Sequence, residues 1–219
     1  MLSSKIDHIV IGAKELLAET KQLEAFLNAK FLPGGKHSLM GTHNRLLKLQ
    51  DSIYLEVIAI DPNACPPGTV DGRKRWFSLD NEFTKKRLSR AAQPLTWVLA
   101  VKDIHYASAR CGYDPGEIIE VSRDKLKWRL TVPADGSLSE GGTLPSLIEW
   151  PNGRNPTHQM PESGVRLEHI VISHPEPRLI LEMQNKLNWV GPLRLTKGKK
   201  CLKFQFRKGN GDKVLLTEL

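Results

Sequence analysis

The sequence predicts an α+β fold in which a β-α-β-β-β unit is used three times, and three observations carry that prediction. The tetrapeptide His-Ile-Val-Ile stands at 8–11 and again at 169–172. Each copy follows an apolar-acidic step, Ile6-Asp7 or Leu167-Glu168, and leads into an amphipathic, helix-like segment. Each histidine also precedes a glutamate in an apolar run: 56 − 8 gives 48 for Glu56, and 218 − 169 gives 49 for Glu218. An altered copy lies between them, Thr96-Trp97-Val98-Leu99-Ala100-Val101, closed by Leu147-Ile148-Glu149-Trp150, and there 149 − 97 gives 52. Self-similarity at a fixed period marks one structural unit used repeatedly.

Unit one covers residues 5–60. Ile6, His8 and Val10 share one face of a strand, because side chains alternate with period two. Leu16, Leu17, Thr20, Leu23, Phe26 and Leu27 follow a helical period. Pro33-Gly34-Gly35 is expected to break the chain, and residues 36–42 to hold a further strand or an ordered loop. Strands follow at 44–49 and 53–60, joined by a turn at Gln50-Asp51-Ser52. A connector over 61–94 is rich in Pro62, Pro66, Pro67, Gly68 and Gly72, then carries an aromatic-basic helical stretch over 76–91. Unit two covers 95–150, with a strand at 96–101, a helix at 103–110, a turn at 112–116, and strands near 117–122, 127–132 and 144–150. Residues 151–164 form a linker. Unit three covers 165–219, with a helix at 176–187, strands at 194–197, 202–207 and 214–218, and a hairpin turn at Gly209-Asn210-Gly211-Asp212.

With 219 residues, 40% hydrophobic and 26% charged, the composition is that of an ordinary globular protein. The length allows one or two domains and a core that needs no staples. No stretch reaches the ~20 apolar residues of a membrane span. Met1-Leu2-Ser3-Ser4-Lys5 runs straight into a strand, unlike a signal peptide. Cys65, Cys111 and Cys201 are odd in number and far apart, which favours reduced thiols and a cytoplasmic location. The net charge is +8. Of its basic runs, Arg73-Lys74-Arg75, Lys85-Lys86-Arg87 and the stretch 197–208, only the last carries the interleaved aromatics of a nucleic-acid reader, Phe204 and Phe206, and their alternation reads better as the inward face of a strand. They are expected to form a solvated surface that attracts an anionic substrate. No phosphate loop, dinucleotide fingerprint or Gly-x-Ser-x-Gly is present.

Three stretches together, Ile6-Asp7-His8-Ile9-Val10, the segment from Gly34 to Asn44, and Tyr54-Leu55-Glu56-Val57-Ile58, resemble the glyoxalase-like domains of the vicinal oxygen chelate superfamily. Leu144-Pro145-Ser146-Leu147-Ile148-Glu149-Trp150 is similar in unit two. The resemblance is close over 5–150 and looser over 165–219. It implies a curved mixed-sheet cup made by paired units. It also implies a divalent metal (Zn, Fe, Mn or Ni) held by one residue from the first strand and one from the last strand of each unit. Carried over, these positions are His8 and Glu56, Trp97 and Glu149, and His169 and Glu218. Indole cannot ligate a metal, so the first cup would hold its ion with His8, Glu56 and Glu149. Counted ungapped from the turn aspartates, Thr217 rather than Glu218 matches Glu56.

Two readings of the His8/Glu56 pair stay open at this point: a metal or catalytic site, and a buried pair satisfying one another. The glycine-rich segment from 34 to 44 is similarly open, as a ligand-binding loop or a polar turn. Within it, His43 is expected to point into the cup as proton shuttle, with His37 at its mouth and Asn44 beside the ligand. Arg129 is a candidate clamp for a carboxylate, and Trp97 and Trp150 are candidate walls of an aromatic-lined site. Trp76 and Trp128 are expected as core or rim packing. The functional expectation is a metal-dependent isomerase, lyase or dioxygenase acting on a small oxygen-rich molecule; the alternative is a metal-free cup that binds or sequesters one. Unit three either packs on the cup or completes a homodimer.

Overall fold

The computed structural model describes residues 4–65, 67, 72–123 and 126–219; Pro66 and Gly68 of the connector lie outside that set. The first unit comprises β1 (Lys5–Gly12), α1 (Leu16–Leu27), β2 (Leu32–His37), β3 (Thr42–Gln50) and β4 (Ile53–Ile60). After α2 (Glu82–Leu88), the second comprises β5 (Gln93–Ala100), α3 (Ile104–Ser108), β6 (Glu117–Arg123), β7 (Leu126–Val132) and β8 (Ser146–Glu149). The third comprises β9 (Arg166–His174), α4 (Arg178–Lys186), β10 (Leu193–Lys197), β11 (Cys201–Arg207) and β12 (Lys213–Leu216). The element order β-α-β-β-β therefore occurs three times.

In the first two units the opening strand lies parallel to the closing one, β1 beside β4 and β5 beside β8. Antiparallel pairing of β1 with β5 joins them into one strongly curled eight-stranded sheet, in the order β2-β3-β4-β1-β5-β8-β7-β6. The third unit pairs differently. Its β9 lies between β10 and β11, and β12 reaches only β11. His169 and Glu218 therefore do not share neighbouring strands; Glu218 follows β12 and is exposed.

Two of the local readings change. Leu32–His37 is a strand, although it contains Pro33-Gly34-Gly35. It is the sheet edge, where a proline's missing N–H is tolerated, and its register slips between Pro33 and Lys36. The helix expected over 76–91 is shorter, because Phe77 and Ser78 have φ of 57° and 55°, outside any helix. Ser78 N–H donates to Gly136 O at 2.7 Å and holds that bend. α2 then starts at Glu82, capped by Asn81, whose side chain accepts from Phe83 and Thr84 N–H.

The sheet separates two cores. Its outer face carries Ile9, Ile11, Leu55, Val57, Trp97 and Leu99, packed with Leu23 and Leu27 of α1 and with Ile170, Ile172, Phe204 and Phe206 of the third unit. The third unit therefore sits on the outer face of the cup, and Gln50 pairs with the backbone of Leu167 like an added strand residue. The inner face carries Val10, Ile58, Val98, Ile119, Val121, Leu130 and Ile148. Trp97 belongs to the outer core. It is fully buried, meets Trp189 at 4.7 Å between ring centroids, and donates its indole N–H to Thr143 O. Trp97→Ala is therefore expected to lower stability by about 3–5 kcal/mol in urea unfolding, while Trp97→Phe keeps most of the packing.

Candidate functional site

Alternation along the strands decides what faces the inside of the cup. A cavity there is lined by His8, His37, Asn44, Tyr54, Glu56, Trp76, Phe77, Arg123, Trp128 and Trp150, among others. Of the expected site residues, His8, Glu56, Asn44, His37 and Trp150 come together. Trp97, Glu149, Arg129 and His43 do not.

The reason is the same in each case, because a shift of one residue turns a strand side chain to the opposite face. His8 stands opposite Val98 in the β1–β5 register, so Val98, and not Trp97, is its inward-facing neighbour. On β8, Ile148 and the following Trp150 face inward, whereas Glu149 accepts from the N–H of Ile104 at the start of α3. Arg129 lies outside with it, paired to Glu120 at 3.2 Å and to Glu149 at 3.4 Å. Trp128 occupies the inward position. His43 alternates with the inward Asn44; it is part-exposed, and burial lowers its pKa while Asp61 opposes that shift.

His8 is fixed by a carboxylate that sequence reasoning passed over. The β1–β5 register slips between Ile6 and His8, and at this bulge the Asp7 carboxylate turns to the His8 ring. Asp7 Oδ1 lies 2.7 Å from His8 Nδ1. An ionised carboxylate only accepts, so Nδ1 carries a proton toward Asp7 and Nε2 is the ring nitrogen that faces Glu56. Nε2 and Glu56 Oε2 are 3.7 Å apart. Asp7 Oδ2 accepts from Trp150 Nε1 at 2.9 Å and from Asn155 Nδ2 at 3.1 Å. Tyr54 stacks on His8 at 4.6 Å, and burial, followed by the charges of Asp7 and Glu56, pushes its phenol well above the ordinary value.

Asn44 joins the remaining groups. Its Nδ2 donates to Glu56 Oε1 at 2.6 Å and approaches His37 Nε2 at 3.4 Å. Its Oδ1 accepts from Gly35 N–H at 2.8 Å and from Arg123 Nη1 at 3.1 Å. Arg123 was not expected from sequence; the signal was present in β6, where Ile119 and Val121 are inward and 123 falls in phase. No glutamate stands at the inward positions of the second unit. Among the described residues, no group of three or more His, Cys, Asp or Glu side chains is placed to hold a metal ion. The donors present do not fit the His8, Glu56 and Glu149 centre for Zn, Fe, Mn or Ni.

His37 is buried, with Nδ1 3.0 Å from Thr42 Oγ1. Its pKa falls from 6.5 to about 3, first through burial and then through the charge of Arg123. The unfolded chain takes up a proton here below about pH 6.5 and the folded chain does not, so this contribution to stability is present above that pH and lost as pH falls toward 3. The wild-type protein should thus lose up to ~1.4 kcal/mol per pH unit across that window. Urea midpoints of His37→Gln should show a flatter slope there.

No helix among the described residues is long and apolar enough to cross a membrane. Structural comparison finds a hypothetical protein from Staphylococcus aureus at 15% identity and TM-score 0.60, over 90% of this chain and 88% of that one. A methylmalonyl-CoA epimerase in complex with methylmalonyl-CoA is 16% identical, with TM-score 0.44 over 70% and 99%. A xylose isomerase-like TIM barrel/4-hydroxyphenylpyruvate dioxygenase fusion protein is 15% identical, with TM-score 0.48 over 97% and 31%. The likeness to the staphylococcal protein is one of fold alone. No curated protein sequence matches. The glyoxalase-like domain family matches residues 6–188, a span that takes in nearly all of the cup's two paired units and the inward His8/Glu56, and the chain belongs to that family.

Proposed function

We propose that this chain is an acid–base enzyme of isomerase or lyase type, acting on a small oxygen-rich molecule inside the cup. The observation that carries the proposal is the buried series Asp7–His8–Glu56. A carboxylate fixes one nitrogen of the imidazole and leaves the other beside a second carboxylate. Orienting a histidine in this way selects its tautomer and stabilises the imidazolium formed when it takes a proton. Two proton-transfer groups 3.7 Å apart address one face of a substrate. Such a pair suits removal of a proton beside a carbonyl and its return to a neighbouring atom.

With Glu149 turned to the Ile104 N–H, the metal-dependent reading keeps two of its three expected ligands, His8 and Glu56, which favours chemistry carried by the side chains themselves. A second reading keeps the aromatic wall of Trp76, Trp128, Trp150 and Tyr54 and assigns the cup to binding without turnover.

Proton exchange separates the two. Small 2-oxo and 2-hydroxy carbonyl compounds, incubated with the protein in D2O and followed by proton NMR, should exchange the hydrogen next to the carbonyl. His8→Ala should slow this exchange by about 10²–10⁴-fold, and Glu56→Gln should also slow it. Binding with no exchange in any variant would leave the sequestering cup as the better account. Chelation should leave the exchange rate unchanged; loss restored by Zn, Fe, Mn or Ni would bring back the metalloenzyme.

A further inference from the structure

The inside of the cup is nearly full. Its cavity measures about 30 Å³, room for a water molecule or two. One cause is Arg123, at the end of the edge strand β6. Its side chain crosses to the opposite edge, where a Cβ on Gly35 would meet Arg123 Cδ at 2.4 Å and Nε at 2.8 Å. Arg123 lies along the bare backbone of β2 and donates to the Asn44 amide oxygen. Among the described residues, no carboxylate pairs with it. A part-buried guanidinium that meets only a neutral acceptor leaves most of its five donors open to an anion.

A second donor in the same cavity lacks a partner. Trp76 lines it, is 2% exposed, and its Nε1–H has no acceptor among the described residues. Buried indole N–H groups usually find one. Trp76 is held in place by the left-handed backbone at Phe77 and Ser78 and by an edge contact with His37 at 4.9 Å. Leaving this donor empty disfavours the ligand-free cup; a ligand oxygen would satisfy it.

Resting on the acid–base reading of the same site, we propose that the substrate is a small monocarboxylate whose carboxylate is clasped by Arg123 and the Trp76 indole, Arg123 releasing Asn44 as it binds. The carbonyl end of the molecule then faces His8 and Glu56. Charge decides for a monocarboxylate over a phosphate. Arg123 brings one positive charge to a cavity that already holds the Glu56 carboxyl, so each further negative charge on the ligand is harder to accommodate. A phosphate dianion would bring uncompensated charge into a partly dry site. Exchange of Asn44 for substrate makes Arg123 a latch across the seam as well as an anchor, because the side chain that fills the mouth of the cup is the one that recognises the ligand.

The test is a titration of the wild-type protein with 2-oxo and 2-hydroxy monocarboxylates, their primary amides and inorganic phosphate, read by the indole N–H resonances in a nitrogen-15 correlation spectrum. Monocarboxylates should move the Trp76 indole signal, assigned by its loss in W76F. Amides and phosphate should bind at least ~10-fold more weakly. R123Q should weaken carboxylate binding by ~10²-fold or more, with little effect on the amides, and R123K should recover part of it without the forked geometry. W76F should weaken binding by ~10-fold. Far-ultraviolet circular dichroism confirms folding of each variant. The proposal is overturned if no monocarboxylate moves the Trp76 signal, if phosphate or amides bind as well, or if the folded R123Q and R123K proteins bind as wild type does. Arg123-dependent binding without proton exchange would sink the enzyme reading and keep the clasp. Exchange that needs His8 and ignores Arg123 would do the reverse.

Discussion

Asn44 is the residue on which the interior of the cup depends. An amide can donate twice and accept twice, and all four directions here are directed at a partner: Glu56, His37, Gly35 and Arg123. Those partners come from β4, from β2 and from β6 across the open seam. Replacing Asn44 would leave several buried polar groups without partners at once, each costing ~1–3 kcal/mol. The same contacts explain the two glycines on β2. A Cβ on Gly34 would fall 2.0 Å from Asn44 Oδ1, and one on Gly35 would strike Arg123. Gly34 and Gly35 therefore let the edge strand approach this side-chain network.

Asp7 does for the other end of the cavity what Asn44 does for the middle. Its two oxygens fix His8, the Trp150 indole and Asn155. Asn155 in turn donates to Ser52 O at 2.7 Å. The segment following β8, which composition marks as a linker, is thereby tied to the turn between β3 and β4. A carboxylate with 1% exposure is tolerable because several donors surround it. Its effect on His8 follows from that rigidity: the ring is stacked on Tyr54, bonded through Nδ1, and free only at Nε2.

Much of this was legible in the sequence, and the failures in unit two are errors of phase. The repeat gave the β-α-β-β-β order, and the helical period gave α1 with its buried Leu16, Thr20, Leu23 and Leu27. His8, Glu56, Asn44 and Trp150 were recognisable as inward residues. In unit two, matching Trp97 to His8 and Glu149 to Glu56 put each one residue out of phase, and period two converts that error into the wrong side of the sheet. The β1–β5 bulge is a backbone irregularity that spacing alone does not register. His43 leads directly into a clear strand, whereas the break signal at Pro33-Gly34-Gly35 hides the edge strand Leu32–His37 that carries His37 inward. Arg123 could be phased from Ile119 and Val121, but its reach to Gly35 depends on the sheet curling until its edges meet.

The two walls of the cup are chemically unlike, although the same β-α-β-β-β unit builds both. The first unit supplies His8, His37, Asn44 and Glu56; the second supplies Val98, Trp128, Leu130, Ile148 and Trp150, with Arg123 alone as a charge. A cup with four equivalent ligand positions would distribute polar groups evenly about its axis. Here the polar groups gather on one wall, and the facing wall is aromatic and aliphatic. Electrostatic effects are stronger beside such a wall than in water, because the surrounding dielectric is lower. Apolar residues at the second unit's inward positions offer no metal donors and lower the dielectric beside the hydrogen-bonded series on the facing wall. The third unit packs on the outer face, where Trp97 and Trp189 belong to a core separate from the residues that line the cup.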